Sequence, residues 1–218
     1  MKSYFLKIEE NEVSGEPASF SGSLSLENPA LCSCPNCNEP MFPVFTLNKE
    51  AGIFPENPNF YRAERITLDV CASCSHSLKN YYIKFEDGVR TAHLGYIDGR
   101  GVSNKIDKPF QSRKVSLLEV AESEWRNQNF VEMIRNKAIL DGVLHQLGGV
   151  KLLEEVDPIS SCLCCGGELS FFAKIDYDDL NVPLYEDGEP SALIIGDMGS
   201  LNVYFCDLCS SLNYGITT

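Results

Sequence analysis

The sequence predicts an α+β fold in which two pseudo-symmetric antiparallel β units are bridged by helices. Three observations predict it. Four Cys-x-x-Cys pairs fall as two sets of two, with Cys34 and Cys37 answering Cys71 and Cys74, and Cys162 and Cys165 answering Cys206 and Cys209. The two halves also keep step when the first is shifted by 128 residues: Cys34 then meets Cys162, Met41 meets Leu169, Val44 meets Phe172 and Leu47 meets Ile175. Between the halves, the apolar spacing changes from strand-like to helical.

Each half reads as knuckle, strand, variable insertion, strand, knuckle. Residues 41–47 and 169–175 are aromatic and apolar runs that leave the first cysteine pair of each half, the composition of a strand. Residues 66–70 and 201–205 lead into the second pair, and Ile66, Leu68 and Val70 alternate with polar residues at the period of a half-buried strand. Further strands are expected at 4–8, at 192–195, and in a hairpin of 81–86 and 91–97 around Asp87-Gly88. The insertions 48–64 and 176–192 carry the Pro, Asn, Gly and acidic residues of exposed loops.

The helical connector is expected over 115–147. Ser116 followed by Glu119 forms a capping box ahead of Leu117, Leu118, Val120 and Ala121, with Trp125 on the apolar face. A second helix starts near Asn129, carries Phe130, Met133, Ile134 and Ala138 at helical spacing, and ends by Gly142 or Gly148-Gly149. This divides the chain into an N-terminal half at 1–114, the connector, and a C-terminal half at 148–218, together one compact pseudo-dimeric domain.

The cysteine spacing carries the chemistry. Two residues between paired cysteines let one turn present both sulfurs to one ion, and zinc takes four such ligands in a tetrahedron. Redox thiols and disulfides share the Cys-x-x-Cys spacing. Two pairs separated by 33 and by 40 residues, occurring twice, favour two structural zinc sites, with iron as the rubredoxin-like alternative. The expected ligands are Cys34, Cys37, Cys71 and Cys74 at one site, and Cys162, Cys165, Cys206 and Cys209 at the other, for two Zn2+ per chain. Cys32 and Cys164 are surplus and read as free thiols.

The first ten residues have no apolar core or cleavage site of a signal peptide. No run approaches the 18 or more apolar residues of a membrane span. Ten cysteines without an export signal fit a reducing compartment, so a cytoplasmic location is expected. The formal charge of −13 becomes about −17 with eight thiolates and two zinc ions. Such a chain is repelled by phosphate backbones. The basic stretch of Arg100, Lys105, Lys108, Arg113 and Lys114 is interrupted by Asp98 and Asp107 and reads as a solvated loop, so neither nucleic acid nor membrane is expected as a partner. A basic protein is. Tyr177, Asp178, Asp179, Tyr185, Glu186 and Asp187 in the second insertion are the expected binding surface, with acids that attract the partner and tyrosines that anchor it.

Catalysis is not expected. His76, His93 and His145 have no evident nucleophile partner, and no Gly-x-Ser-x-Gly or phosphate loop appears. His76, next to a knuckle, is a candidate to hydrogen-bond a metal-bound sulfur.

Several short motifs resemble the YwqG-like and programmed cell death 2 protein-like superfamily. They are His145-Gln146-Leu147-Gly148-Gly149, Cys162-x-x-Cys165, the strand 171–176, and Asp197-Met198-Gly199-Ser200-Leu201, with Cys34-Pro35-Asn36-Cys37 matching the first knuckle. The sequence departs from the family at Val150-Lys151, where a Pro is expected nearby, and at Ala173-Lys174, where the strand should end in Gln. The resemblance implies a non-catalytic binding module. One branch of the superfamily implies an immunity protein that neutralises a bacterial toxin, and the other a chaperone of a basic, ribosomal-type client.

Overall fold

The computed structural model describes residues 3–8, 18–20, 32–48, 65–74, 78–86, 89–97, 113–125, 145–149, 159–176 and 200–217, with the single residues 129, 132 and 151. The eleven strands are β1 (Ser3–Ile8), β2 (Ala18–Phe20), β3 (Phe42–Asn48), β4 (Arg65–Val70), β5 (Leu78–Glu86), β6 (Val89–Ile97), β7 (Arg113–Val120), β8 (His145–Leu147), β9 (Ser170–Asp176), β10 (Ser200–Cys206) and β11 (Ser211–Thr217). A one-turn helix, α1 (Glu122–Trp125), follows β7.

The strands form one hydrogen-bonded order, β4-β3-β2-β7-β1-β8-β9-β10-β11-β5-β6. Every pairing in it is antiparallel. This corrects the expected α+β architecture: the described residues are nearly all β, and no helix bridges two separate units. The misreading begins at Ser116 and Glu119. Both lie in β7, which pairs with β1 from Ser3↔Val120 to Ile8↔Val115. Tertiary pairing of a segment holding Val115, Leu117 and Val120 overrides the local Ser-x-x-Glu signal. A reaching-back glutamate does exist, five residues later. Glu124 accepts a bond from the Ala121 amide at 3.1 Å through its carboxylate, and its own amide donates to the Ala121 carbonyl at 2.9 Å. It thereby starts α1. The expected second helix falls largely outside the described residues, as does the expected strand at 192–195.

From β4 to β10 the strand order is a palindrome about the central β1–β7 pair, with β2, β3 and β4 on one side and β8, β9 and β10 on the other. The 128-residue repeat is visible in detail. The β3–β4 register slips at Val44 and the β9–β10 register slips at Phe172. These two residues meet in the sequence shift, and both side chains are buried. A bulge at the same place in each pair turns an apolar side chain into the core.

β4 and β5 are neighbours in the chain but stand at opposite ends of the order, apart from β6. Side chains bring those ends together. Tyr81 of β5 and Tyr214 of β11 are cross-strand partners whose rings stack at 4.5 Å. Their hydroxyls donate to the carbonyls of Asp69 and, at 3.5 Å, Thr67, both on β4. Arg90 of β6 reaches the Asp69 carboxylate at 2.9 Å and the Thr67 hydroxyl. A single apolar cluster, including Leu6, Phe45, Leu68, Ile83, Phe172, Val203 and Leu212, fills the space enclosed.

Candidate metal centres

The eight paired cysteines come together as two groups, Cys34, Cys37, Cys71 and Cys74, and Cys162, Cys165, Cys206 and Cys209, with the sulfurs of each group within 4.8 Å of one another. The same turn builds the first knuckle of both. The Cys34 amide donates to the Glu39 carbonyl at 2.8 Å, and the Asn38 amide to the Cys34 carbonyl at 2.9 Å. In the second centre the Cys162 amide donates to Gly167 at 2.9 Å, and the Gly166 amide to Cys162 at 2.8 Å. This turn needs a left-handed residue directly after the second cysteine. Asn38 has φ 62° and Gly166 has φ 72°, and these are the two residue types that enter that region most readily.

Sulfur–sulfur separations are 3.5 Å for Cys37–Cys71, 3.5 Å for Cys162–Cys209 and 3.6 Å for Cys165–Cys206. A disulfide requires about 2.05 Å, whereas four sulfurs at a zinc–sulfur distance of about 2.3 Å stand roughly 3.8 Å apart. The clusters therefore have the dimensions of a tetrahedral metal site, and all ten cysteines are free thiols. Donors to sulfur add to the fit: the Asn36 amide points at Cys34 at 3.5 Å and its side-chain nitrogen at Cys74 at 3.3 Å. In the second centre the Ser211 hydroxyl lies 3.1 Å from Cys209 and 3.5 Å from Cys162.

Without a cation, four thiols at this spacing cannot all ionise. The hydrogen bond from Cys71, helped by amides of Cys37 and Asn36 and opposed by burial, brings the Cys34 thiol down to about 5. The same bond pushes Cys71 upward, and burial raises Cys74 to about 11. In the second centre burial opposes ionisation of Cys162, but the Ser211 hydroxyl and the Cys165 and Cys164 amides outweigh it and hold the thiol at about 6, while burial raises Cys206 and Cys209. A divalent cation is what allows all four thiolates to coexist.

The sulfurs of the two surplus cysteines belong to neither cluster. Cys32 is buried with its sulfur donating to the Arg90 carbonyl at 3.5 Å, and burial followed by the Asp69 charge raises it to about 11. Cys164 is half-buried and lies beside Tyr82. His93 lies on β6, stacked on Tyr82 at 4.8 Å. His145 is fully buried, and burial together with the Lys174 charge pulls it down to about 3, so its neutral Nδ1 accepts the Asp176 amide at 3.2 Å. His76 and the expected binding surface of Tyr177, Asp178, Asp179, Tyr185, Glu186 and Asp187 lie outside the described residues. Among the described residues, no helix is long and apolar enough to cross a membrane.

The sequence reading missed two buried polar groups. One is the lock of Thr67, Asp69 and Arg90, signalled only by Asp69 inside the apolar strand before Cys71. The other lies across β8, β9 and β10, where Gln146, Lys174 and Asn202 are in register and all buried. Lys174 pairs with Asp176 at 3.1 Å. The Gly148-Gly149 turn after β8 has φ 69° and 71°. A Cβ on Gly149 would meet the Ser3 hydroxyl, so that turn admits only glycine where β1 crosses it.

Two four-cysteine clusters, each able to hold a metal ion, stand on one antiparallel β architecture. No protein-family model matches the chain, and no curated protein matches its sequence.

Proposed function

We propose that the chain is a non-catalytic protein-binding module held together by two structural zinc ions, and that it binds and neutralises a cognate toxin. The observation that carries the zinc reading is the pair of four-thiol clusters at metal-site spacing. The all-sulfur donor set selects zinc over harder ions. Cys34, Cys37, Cys71 and Cys74 would hold one ion, and Cys162, Cys165, Cys206 and Cys209 the other. Four protein ligands fill a tetrahedron and leave no open position for substrate or water, which supports a structural over a catalytic role.

The binding reading is supported by the superfamily resemblance of the knuckle and Gly-Gly motifs and by the net charge of −13. An acidic protein associates fastest with a cationic partner. Toxin neutralisation rests on the resemblance alone, and the chaperone of a basic client is its competitor. Affinity purification of the tagged holoprotein from its host tests both. Recovery of a stoichiometric partner whose toxicity is relieved by co-expression is the expected result. Recovery of a basic ribosomal-type protein, with no toxicity to relieve, would replace neutralisation with the chaperone function.

A further inference from the structure

We infer, resting on the zinc reading proposed above, that Ser211 and Asn213 of β11 are positioning residues of the second metal centre. Together they deliver one hydroxyl proton to the Cys209 sulfur and so help to hold the ion there. Ser211 is the cross-strand partner of Cys206, which puts the two side chains on one face. Residues two apart on a strand share a face, so Asn213 stands on it as well. Both Ser211 and Asn213 are fully buried.

A backbone amide fixes the direction of the hydrogen bonds. The Leu163 N–H can only donate, and it meets the Asn213 side-chain oxygen at 2.8 Å. That turns the Asn213 Nδ2 toward the Ser211 hydroxyl oxygen, to which it donates at 2.9 Å. The single proton of Ser211 is then left for another acceptor. Metal-bound thiolates accept and cannot donate, and Cys209 lies 3.1 Å and Cys162 3.5 Å from the hydroxyl. A hydrogen bond to an ionised acceptor is roughly twice as strong as a neutral one. Leu163 sits between the ligands Cys162 and Cys165, so the same chain of bonds ties the knuckle to β11.

The first centre cannot be built the same way. Under the 128-residue shift Pro35 stands where Leu163 does, and proline has no N–H to give. The side-chain donor there is Asn36, on the knuckle itself, reaching the Cys74 sulfur at 3.3 Å. The shift puts Cys164 in the place of Asn36. Each centre therefore takes its side-chain donor from a different element, the first from its knuckle and the second from β11.

Chelator competition on the zinc-loaded protein, with mass mapping of the alkylated cysteines, reads the two centres separately. In Ser211→Ala the cysteines of the second centre should be labelled at a chelator concentration at least about tenfold lower than in wild type. Those of the first centre should be labelled as in wild type. Cobalt loaded in place of zinc supplies a readout that lost packing would not move. Its sulfur-to-cobalt absorption band should shift to longer wavelength in Ser211→Ala, because the thiolate loses a donor. Asn213→Ala should also weaken the second centre, and by less when residue 211 is already alanine, since Asn213 acts through that hydroxyl. Two ions bound in wild type with Ser211→Ala unchanged in labelling or in band position, or additive effects of the two substitutions, would overturn the inference and leave the zinc reading standing. Wild-type protein that takes up no metal would end both.

Discussion

At the first metal centre the chain leaves Cys74 for β5, which lies near the opposite end of the strand order from β4. At the second it leaves Cys209 directly into β11, which is bonded to β10 over seven residue pairs from Ser200↔Thr217 to Cys206↔Ser211. The knuckles share a turn and a donor set, yet the sheet depends on them differently. The second centre crosslinks a hairpin that backbone bonds already hold. The first crosslinks β3 and β4, which are paired over six residue pairs, but its second knuckle also leads from β4 into β5, and these two have no backbone pairing among the described residues. At that seam the described contacts are the tyrosine hydroxyls, Arg90 with Asp69 and Thr67, and apolar packing. Equivalent local chemistry acquires unequal structural weight from topology.

The largest effect expected from this comparison is that of Cys71→Ser. It removes a ligand beside the seam and should cost more than about 4 kcal/mol, the range reached when a structural metal is lost. Chemical unfolding with metal counting checks it, and a variant as stable as wild type would place closure elsewhere. Arg90→Ala comes next. Stranding the buried Asp69 carboxylate should cost about 3 kcal/mol while both metals stay bound. Cys206→Ser should cost less, roughly 2 kcal/mol, with hydrogen exchange rising in β10 and β11 and not in β4. Should Cys206→Ser equal Cys71→Ser, the asymmetry between the centres fails. Cys32→Ser is the smallest change, under about 1 kcal/mol, because the thiol makes one weak bond to the Arg90 carbonyl.

Acid sharpens the same contrast. Protons compete with metal for thiolates, so affinity falls as pH drops. In the metal-free folded state Cys34 and Cys162 stand at about 5 and about 6, below the ordinary 9.0. Their ionised forms therefore stabilise the fold fully only above about pH 9, and that contribution is lost as pH falls through those values. The second centre, whose Cys209 is half-buried where Cys74 of the first is buried, should release its ion first. A chromophoric chelator read against pH distinguishes two steps from one.

What was legible in the sequence follows from the range of the interactions involved. The cysteine pairs, the apolar runs around 41–47, 66–70, 169–175 and 201–205, and the Asp87-Gly88 hairpin are local signals, and β3, β4, β9, β10, β5 and β6 lie on them. β7 was misread because its partner, β1, is more than a hundred residues away and local capping residues argued for helix. β11 went unread because Ser211, Asn213 and Gly215 are poor strand formers. They are buried there because the sheet covers both sides of that strand. The closure through Tyr81, Tyr214 and Arg90 depends on the complete strand order, which no spacing in the sequence encodes.

Whether two tetrahedral thiolate sites hold this sheet, as proposed, is decided by elemental analysis coupled to thiol titration. Protein purified without chelator should contain two zinc ions per chain, with eight thiols becoming reactive in step with zinc release and Cys32 reacting only on unfolding. Protein without metal whose paired cysteines are oxidised to disulfides would contradict the account.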